Sequence, residues 1–70
     1  MKVGDLARIV LPSFIGDSQL IIDAWHGGKP VLILDESTTD HHDGTKQELV
    51  LIQFGERRTW ILKSDLEPYK

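Results

Sequence analysis

Asp40-His41-His42-Asp43 is the cluster in this chain with metal-competent chemistry. Two imidazoles and two carboxylates can offer nitrogen and oxygen ligands to Zn²⁺ or Ni²⁺. Their spacing works against a preformed site. Adjacent His residues in extended chain point to opposite sides, and a structural metal site draws its ligands from two converging elements. His26 becomes a third ligand only if the segment that carries it folds toward this one. The alternative is a solvated loop tip, and the reading assigns the chain no metal and no cofactor.

Catalytic groupings are weaker still. Ser13, Ser18, Ser37 and Ser64 lack the context of an activated nucleophile, with no strand-Gly-x-Ser-x-Gly-helix elbow. The paired acids Asp35-Glu36 close a strand, where the usual role is solvation and turn formation. A small barrel also offers little concavity in which to shift a pKa, so no enzyme is expected. Arg57 and Arg58, with Trp60 and Lys63 close behind, make one local basic and aromatic patch. Such a patch can hold phosphate on Arg and stack a base on Trp. It can equally be a hairpin tip whose Arg stems cover apolar surface while Trp60 fills the interior.

The charge balance decides between those two. Eight Lys and Arg against eleven Asp and Glu give a net charge of −3, so no global basic field draws in phosphate backbones, and nucleic acid is not the expected partner. The absence of Cys removes disulfides and thiolate chemistry. No segment reads as a signal peptide, and the apolar runs fall far below membrane-spanning length, so no membrane role is expected. With 40% apolar and 27% charged residues in 70 positions, residues 1–70 read as a single globular domain without repeat or linker.

The elements that must position these groups are mostly strands. Leu6 to Leu11 is a short strand opened by Gly4-Asp5 and stopped by Pro12. The stretch from Asp17 to Gly28 reads two ways. As a helix it is capped by Asp17 or Ser18, repeats Leu20, Ile21, Ala24 and Trp25 on one side, and ends at Gly27. As extended chain, Leu20-Ile21-Ile22 is a strand edge. One or two helical turns inside a long first loop is the preferred reading. Val31 to Leu34 and Gln47 to Phe54 are strands, Ser37 to Lys46 is an exposed mobile loop, and Gly55-Glu56 is a two-residue hairpin leading into Arg57 to Leu62. A Ser-capped turn and a short extended tail close the chain. Four or five antiparallel strands in 70 residues predict a mainly β fold, a small, partly open SH3-like barrel. A small OB-like barrel and an antiparallel sheet with one packed helix are the alternatives. The expected core is Leu6, Ile9, Val31, Ile33, Val50, Ile52, Trp60, Leu62 and Leu66.

Three stretches carry a resemblance. Gly4-Asp5-Leu6 opening a first strand, Gly28-Lys29-Pro30-Val31-Leu32-Ile33-Leu34, and the ending from Val50 through Trp60 to Asp65-Leu66-Glu67-Pro68 resemble the small SH3-like barrel proteins of tailed bacteriophages, notably marine and cyanobacterial phages. The chain departs from that pattern with Gly55-Glu56 for the usual Asp-Gly, Phe54 for Trp, and a longer insertion between Pro12 and Gly28. Most such proteins have no assigned activity, so the resemblance implies a fold more firmly than a function. It implies a virion component or a host-directed accessory protein, found in the virion or the host cytoplasm. Gly4-Asp5-Leu6-Ala7-Arg8-Ile9 also resembles KOW-type modules, which would imply a nucleic-acid or transcription-machinery binder instead.

One pattern does not fit a solitary barrel. A half-buried strand alternates apolar and polar residues, yet Val31-Leu32-Ile33-Leu34 and Leu49-Val50-Leu51-Ile52 carry aliphatics on both faces. The second face needs a cover: the segment around Leu20-Ile21-Ile22-Trp25, an identical chain, or a different protein. The expected function is therefore a non-enzymatic protein-interaction module, with homo-oligomerisation open. Its expected contact residues are Phe14, Ile15 and Trp25 in the first loop and Arg57 and Arg58 at the hairpin.

Overall fold

Apolar runs bounded by Gly and Pro become five antiparallel strands in a single sheet. The computed structural model describes residues 2–12 and 18–69. Its elements are β1 (Leu6–Ile9), α1 (Ser18–His26), β2 (Val31–Asp40), β3 (Lys46–Phe54), β4 (Arg57–Leu62) and β5 (Leu66–Pro68), with a 3₁₀ turn over Lys63–Asp65 before β5. The strand order β4-β3-β2-β1-β5 is that of a partly open SH3-like barrel, as the sequence predicts. β1 lies between β2 and β5, with Arg8 opposite Glu67 and their side chains ion-paired.

Register sorts the side chains into two sides. Ile33 faces Ile52, which faces Thr59, and Val50 faces Ile61. Together with Ala7, Ile9, Val31 and Leu66 these residues are buried on one side of the sheet. Leu20, Ile21 and Ala24 of α1 join the same cluster, at the i, i+1, i+4 spacing that puts all three on one helical face. The helix therefore completes the inner core and does not cover the second face.

Local chemistry ends the helix sharply. Lys29 donates its backbone N–H to the Ala24 carbonyl at 3.1 Å and Gly28 donates to Trp25 at 3.1 Å. With Gly28 at φ 57° this is a Schellman cap, in which a left-handed residue lets two orphan carbonyls be satisfied. The helix stops at His26, so Gly27 ends it as the sequence predicts, and Gly28 supplies the left-handed residue. The helix start falls beside residues 13–17, so the expected Asp17 cap lies outside the described residues. At the β3–β4 turn Gly55 has φ 64°, the positive value that the first central position of such a hairpin asks for.

Several expectations need correction. The loop expected over Ser37 to Lys46 is mostly strand: β2 runs on to Asp40 and pairs with β3 through Thr38 opposite Glu48 and Thr39 opposite Gln47. Only residues 41–45 turn, closed by His41 N–H to Thr45 at 2.9 Å and Gly44 N–H to His41 at 3.1 Å. Backbone pairing holds this arm together, and polar side chains do not oppose it because both its faces are solvated. β1 stops at Ile9, and Val10 and Leu11 turn their N–H groups to the Asp65 carbonyl, at 2.8 and 3.5 Å. The turn at Lys63–Asp65 is entered from Leu62 with no side-chain cap, so Ser64 does not cap it.

Three expected core residues lie elsewhere. Leu6 is 48% exposed, since it and Ile9 sit three apart on a strand and cannot share a face. Trp60 and Leu62 are only half-buried, and Ile61 takes the core position between them.

Candidate functional site

The second side of the sheet is apolar and open. Leu6 lies opposite Leu32, which lies opposite Gln53 and then Arg58; Leu51 lies opposite Trp60, and Leu49 opposite Leu62. A bulge between Ile33 and Asp35 leaves Leu34 without a register partner, and alternation from Ile33 puts it on this outer side as well. Leu32, Leu34, Leu49, Leu51, Trp60 and Leu62 are all half-buried, shielded by one another along and across the strands. A groove of about 380 Å³ lies at the arm side of this row, lined by Ser37, Gln47, Leu49 and Trp60. Such a surface gains free energy when another apolar surface removes it from water, at roughly 25 cal/mol per Å².

The charged residues are arranged around this face by the strands. Arg57 and Arg58 are neighbours in β4, so they point to opposite sides. Arg58 shares the outer face with Trp60, while Arg57 lies opposite Phe54, whose ring carries Lys29 Nζ at 5.7 Å from its centroid. Lys63 stands at the other end of the ladder, 3.9 Å from Glu36 and 3.8 Å from Glu48. The basic patch expected from the sequence is thus divided: Arg58 with Trp60 on the outer face, Arg57 with Lys29 at the hairpin end, Lys63 held among carboxylates. Trp25 is 41% exposed on α1 with its ring edge-on to His26 at 5.5 Å, away from the outer face. Phe14 and Ile15 lie outside the described residues. The half-buried Leu49, Leu51 and Leu62 were not singled out as contact residues, although aliphatics on both strand faces were the signal that could have found them.

At the arm tip the Asp40 to Asp43 segment is organised around its own turn. Asp43 accepts from the Thr45 hydroxyl at 2.7 Å and the Thr45 N–H at 3.0 Å, and His41 Nε2 lies 3.3 Å from the Gln47 side-chain oxygen. His26, the conditional third ligand, ends α1 beside Trp25. Among the described residues no three His, Cys, Asp or Glu side chains gather to hold a metal ion. The Thr45 hydroxyl, followed by its N–H, holds the Asp43 carboxyl below the ordinary carboxylate range, because both donors favour the charged form. In Thr45→Val the hydroxyl donor is lost, and Asp43 should titrate closer to an ordinary aspartate in a carboxyl-detected NMR titration. An unmoved Asp43 would show that the side-chain bond does not set its acidity.

Fold and surface together define a class: a small partly open β-barrel with one sealed core and one apolar sheet face that α1 does not cover. Comparison with family models, with curated proteins and with solved structures returns no match. No helix among the described residues is long and apolar enough to cross a membrane.

Proposed function

We propose that the protein is a non-enzymatic protein-interaction module that docks its partner on the outer face of β2, β3 and β4. The supporting observation is the half-buried row Leu49, Leu51, Trp60 and Leu62 on the side of the sheet that α1 leaves uncovered. Arg58 at the rim adds a directional contact beside the aromatic ring, the combination over-represented at interface anchors. The resemblance to phage SH3-like barrels supports a virion component or a host factor as the setting in which this face works.

Leu51→Lys tests the reading. It places a charge at the centre of the face, where burial by a partner carries a penalty of several kcal/mol, while an exposed Lys leaves the fold in place. Tagged native protein and Leu51→Lys are compared for partners captured from lysate and read by mass spectrometry. A partner retained by the native chain and lost by the variant is expected. Equal capture by both would place the interaction elsewhere on the molecule. An electrophoretic shift of nucleic acid at low salt that Arg58→Glu abolishes would favour the KOW-like alternative.

A further inference from the structure

We propose that the partner presents an extended strand, apolar and then acidic, that pairs antiparallel with the open edge of β4. The inference deepens the docking reading above, on which its contacts to Trp60 and Leu62 rest, and names the chemistry of the occupant. The order β4-β3-β2-β1-β5 leaves β4 with a single neighbour. Phe54 and Arg57 close the two-residue turn as a hydrogen-bonded pair, so alternation makes Ile52 with Thr59 and Val50 with Ile61 the next pairs that exchange bonds. Arg58, Trp60 and Leu62 therefore turn their backbone groups away from β3. Their N–H groups meet no acceptor among the described residues. Of the Arg58 and Trp60 carbonyls, only that of Trp60 has a donor nearby, the Thr59 hydroxyl at a long 3.5 Å.

The two edges of the sheet are built differently. β5 is three residues long and ends in Pro68, which has no N–H to offer, and both features blunt an edge. β4 is six residues long, keeps an unbroken register with β3, and reads Thr59-Trp60-Ile61-Leu62 without Pro. A row of unpaired donors and acceptors at strand spacing is matched by a ligand that repeats the same groups, a second extended backbone. Side chains supply the rest of its chemistry. The residues whose backbone faces the open edge also carry their side chains on the outer face, about 6.8 Å apart along the strand. Trp60 and Leu62 are half-buried there and Arg58 is exposed. No carboxylate among the described residues, Glu56 in the neighbouring turn included, lies within ion-pair distance of Arg58. An added strand sets its own alternate side chains beside these. Run antiparallel, the direction of every pairing in this sheet, it complements them with two apolar residues followed, toward its C-terminus, by a carboxylate beside Arg58.

The probe is the synthetic peptide Thr-Val-Thr-Val-Thr-Glu-Thr, blocked at both ends, whose valines fall beside Leu62 and Trp60 and whose glutamate falls beside Arg58. Titrated into the isotopically labelled full chain, it is expected to bind with a Kd below about 1 mM and to shift the amides of Arg58, Trp60 and Leu62 most. The same peptide with Lys in place of Glu is expected to bind on the order of tenfold more weakly. Methylating the backbone nitrogen of the valine beside Trp60 removes a hydrogen bond while keeping every side chain, and should abolish binding. Arg58→Pro should abolish it too, because it deletes an outward N–H that β3 does not use, a placement an edge strand tolerates. Its amide spectrum checks that it is folded, and the methylated peptide makes the same test on the native chain. A parent peptide that does not bind at about 1 mM overturns the proposal. So does a methylated peptide that binds as well as the parent, since side chains alone would then hold it. A native chain that sediments as a dimer while Arg58→Pro sediments as a monomer gives the edge to a second copy and overturns it as well. Leu51→Lys lies off this edge: a partner lost by that variant upholds the docking face even where the peptide fails, and equal capture with a bound peptide removes the face and keeps the edge.

Discussion

Ile61→Ala should cost the fold about 3 kcal/mol, and Trp60→Ala about 1 kcal/mol, although Trp is the larger side chain. Ile61 is fully buried opposite Val50, so truncation leaves a cavity that rigid strand neighbours cannot fill. Trp60 is half-buried on the uncovered side, where the folded state already leaves part of its ring in water. For a chain of this length total stability is of the order of 3.5 to 10 kcal/mol, and each kcal/mol moves the melting midpoint by roughly 4 to 8 °C. Thermal melts should therefore show Ile61→Ala melting roughly 8 to 16 °C below Trp60→Ala. The reverse order would mean that β4 presents its other face to the core.

Ile21→Asp should abolish folding at neutral pH. Ile21 has no exposed surface, and its neighbours in the cluster are Leu20, Ala24 and the strand aliphatics. An unpaired carboxylate there carries a desolvation penalty of several kcal/mol added to the lost burial of Ile, a sum comparable to the whole stability. Circular dichroism should show neither native sheet nor a cooperative melt, whereas Gln19→Asp, on the exposed side of the same helix, should fold. A variant that lost helix signal but kept a cooperatively melting sheet would make α1 an appended cover and not a wall of the core.

Much of this architecture was legible because it rests on strong local signals. Val31 to Leu34 and Leu49 to Phe54 are dense in β-formers, Gly55 can supply positive φ, and Gly27-Gly28 can only end a helix. What was not legible is facing. Trp60-Ile61-Leu62 is apolar throughout, so alternation gives no parity, and size alone favours Trp as the core residue. Register with Val50 and Ile52 decides it the other way, and register is a property of two strands. Ala7 is a core residue with little hydrophobic signal of its own. The polar arm from Ser37 to Asp40 read as loop because polarity reports solvation, and a hairpin solvated on both faces shows none of the pattern by which strands are recognised. The apolar outer face was half legible: the excess of aliphatics was evident, but whether the helix covered it required the fold.

The pairing of β1 with β5 has a consequence for synthesis. Arg8 and Glu67 are 59 positions apart, yet they meet side by side, and Val10 and Leu11 bond to Asp65 beside them. The β2–β3–β4 meander is built from local hairpins and can form while the chain is still emerging from the ribosome. The first strand must wait, with its second edge unpaired, until residues 66–68 have cleared the exit tunnel, and closing so long a span is the entropically expensive step. Until then Ile9 and the helix that packs beside β1 have an incomplete core to enter. Against the local hairpins of the meander, the β1–β5 pairing is therefore the contact that costs this small barrel the most chain entropy to close.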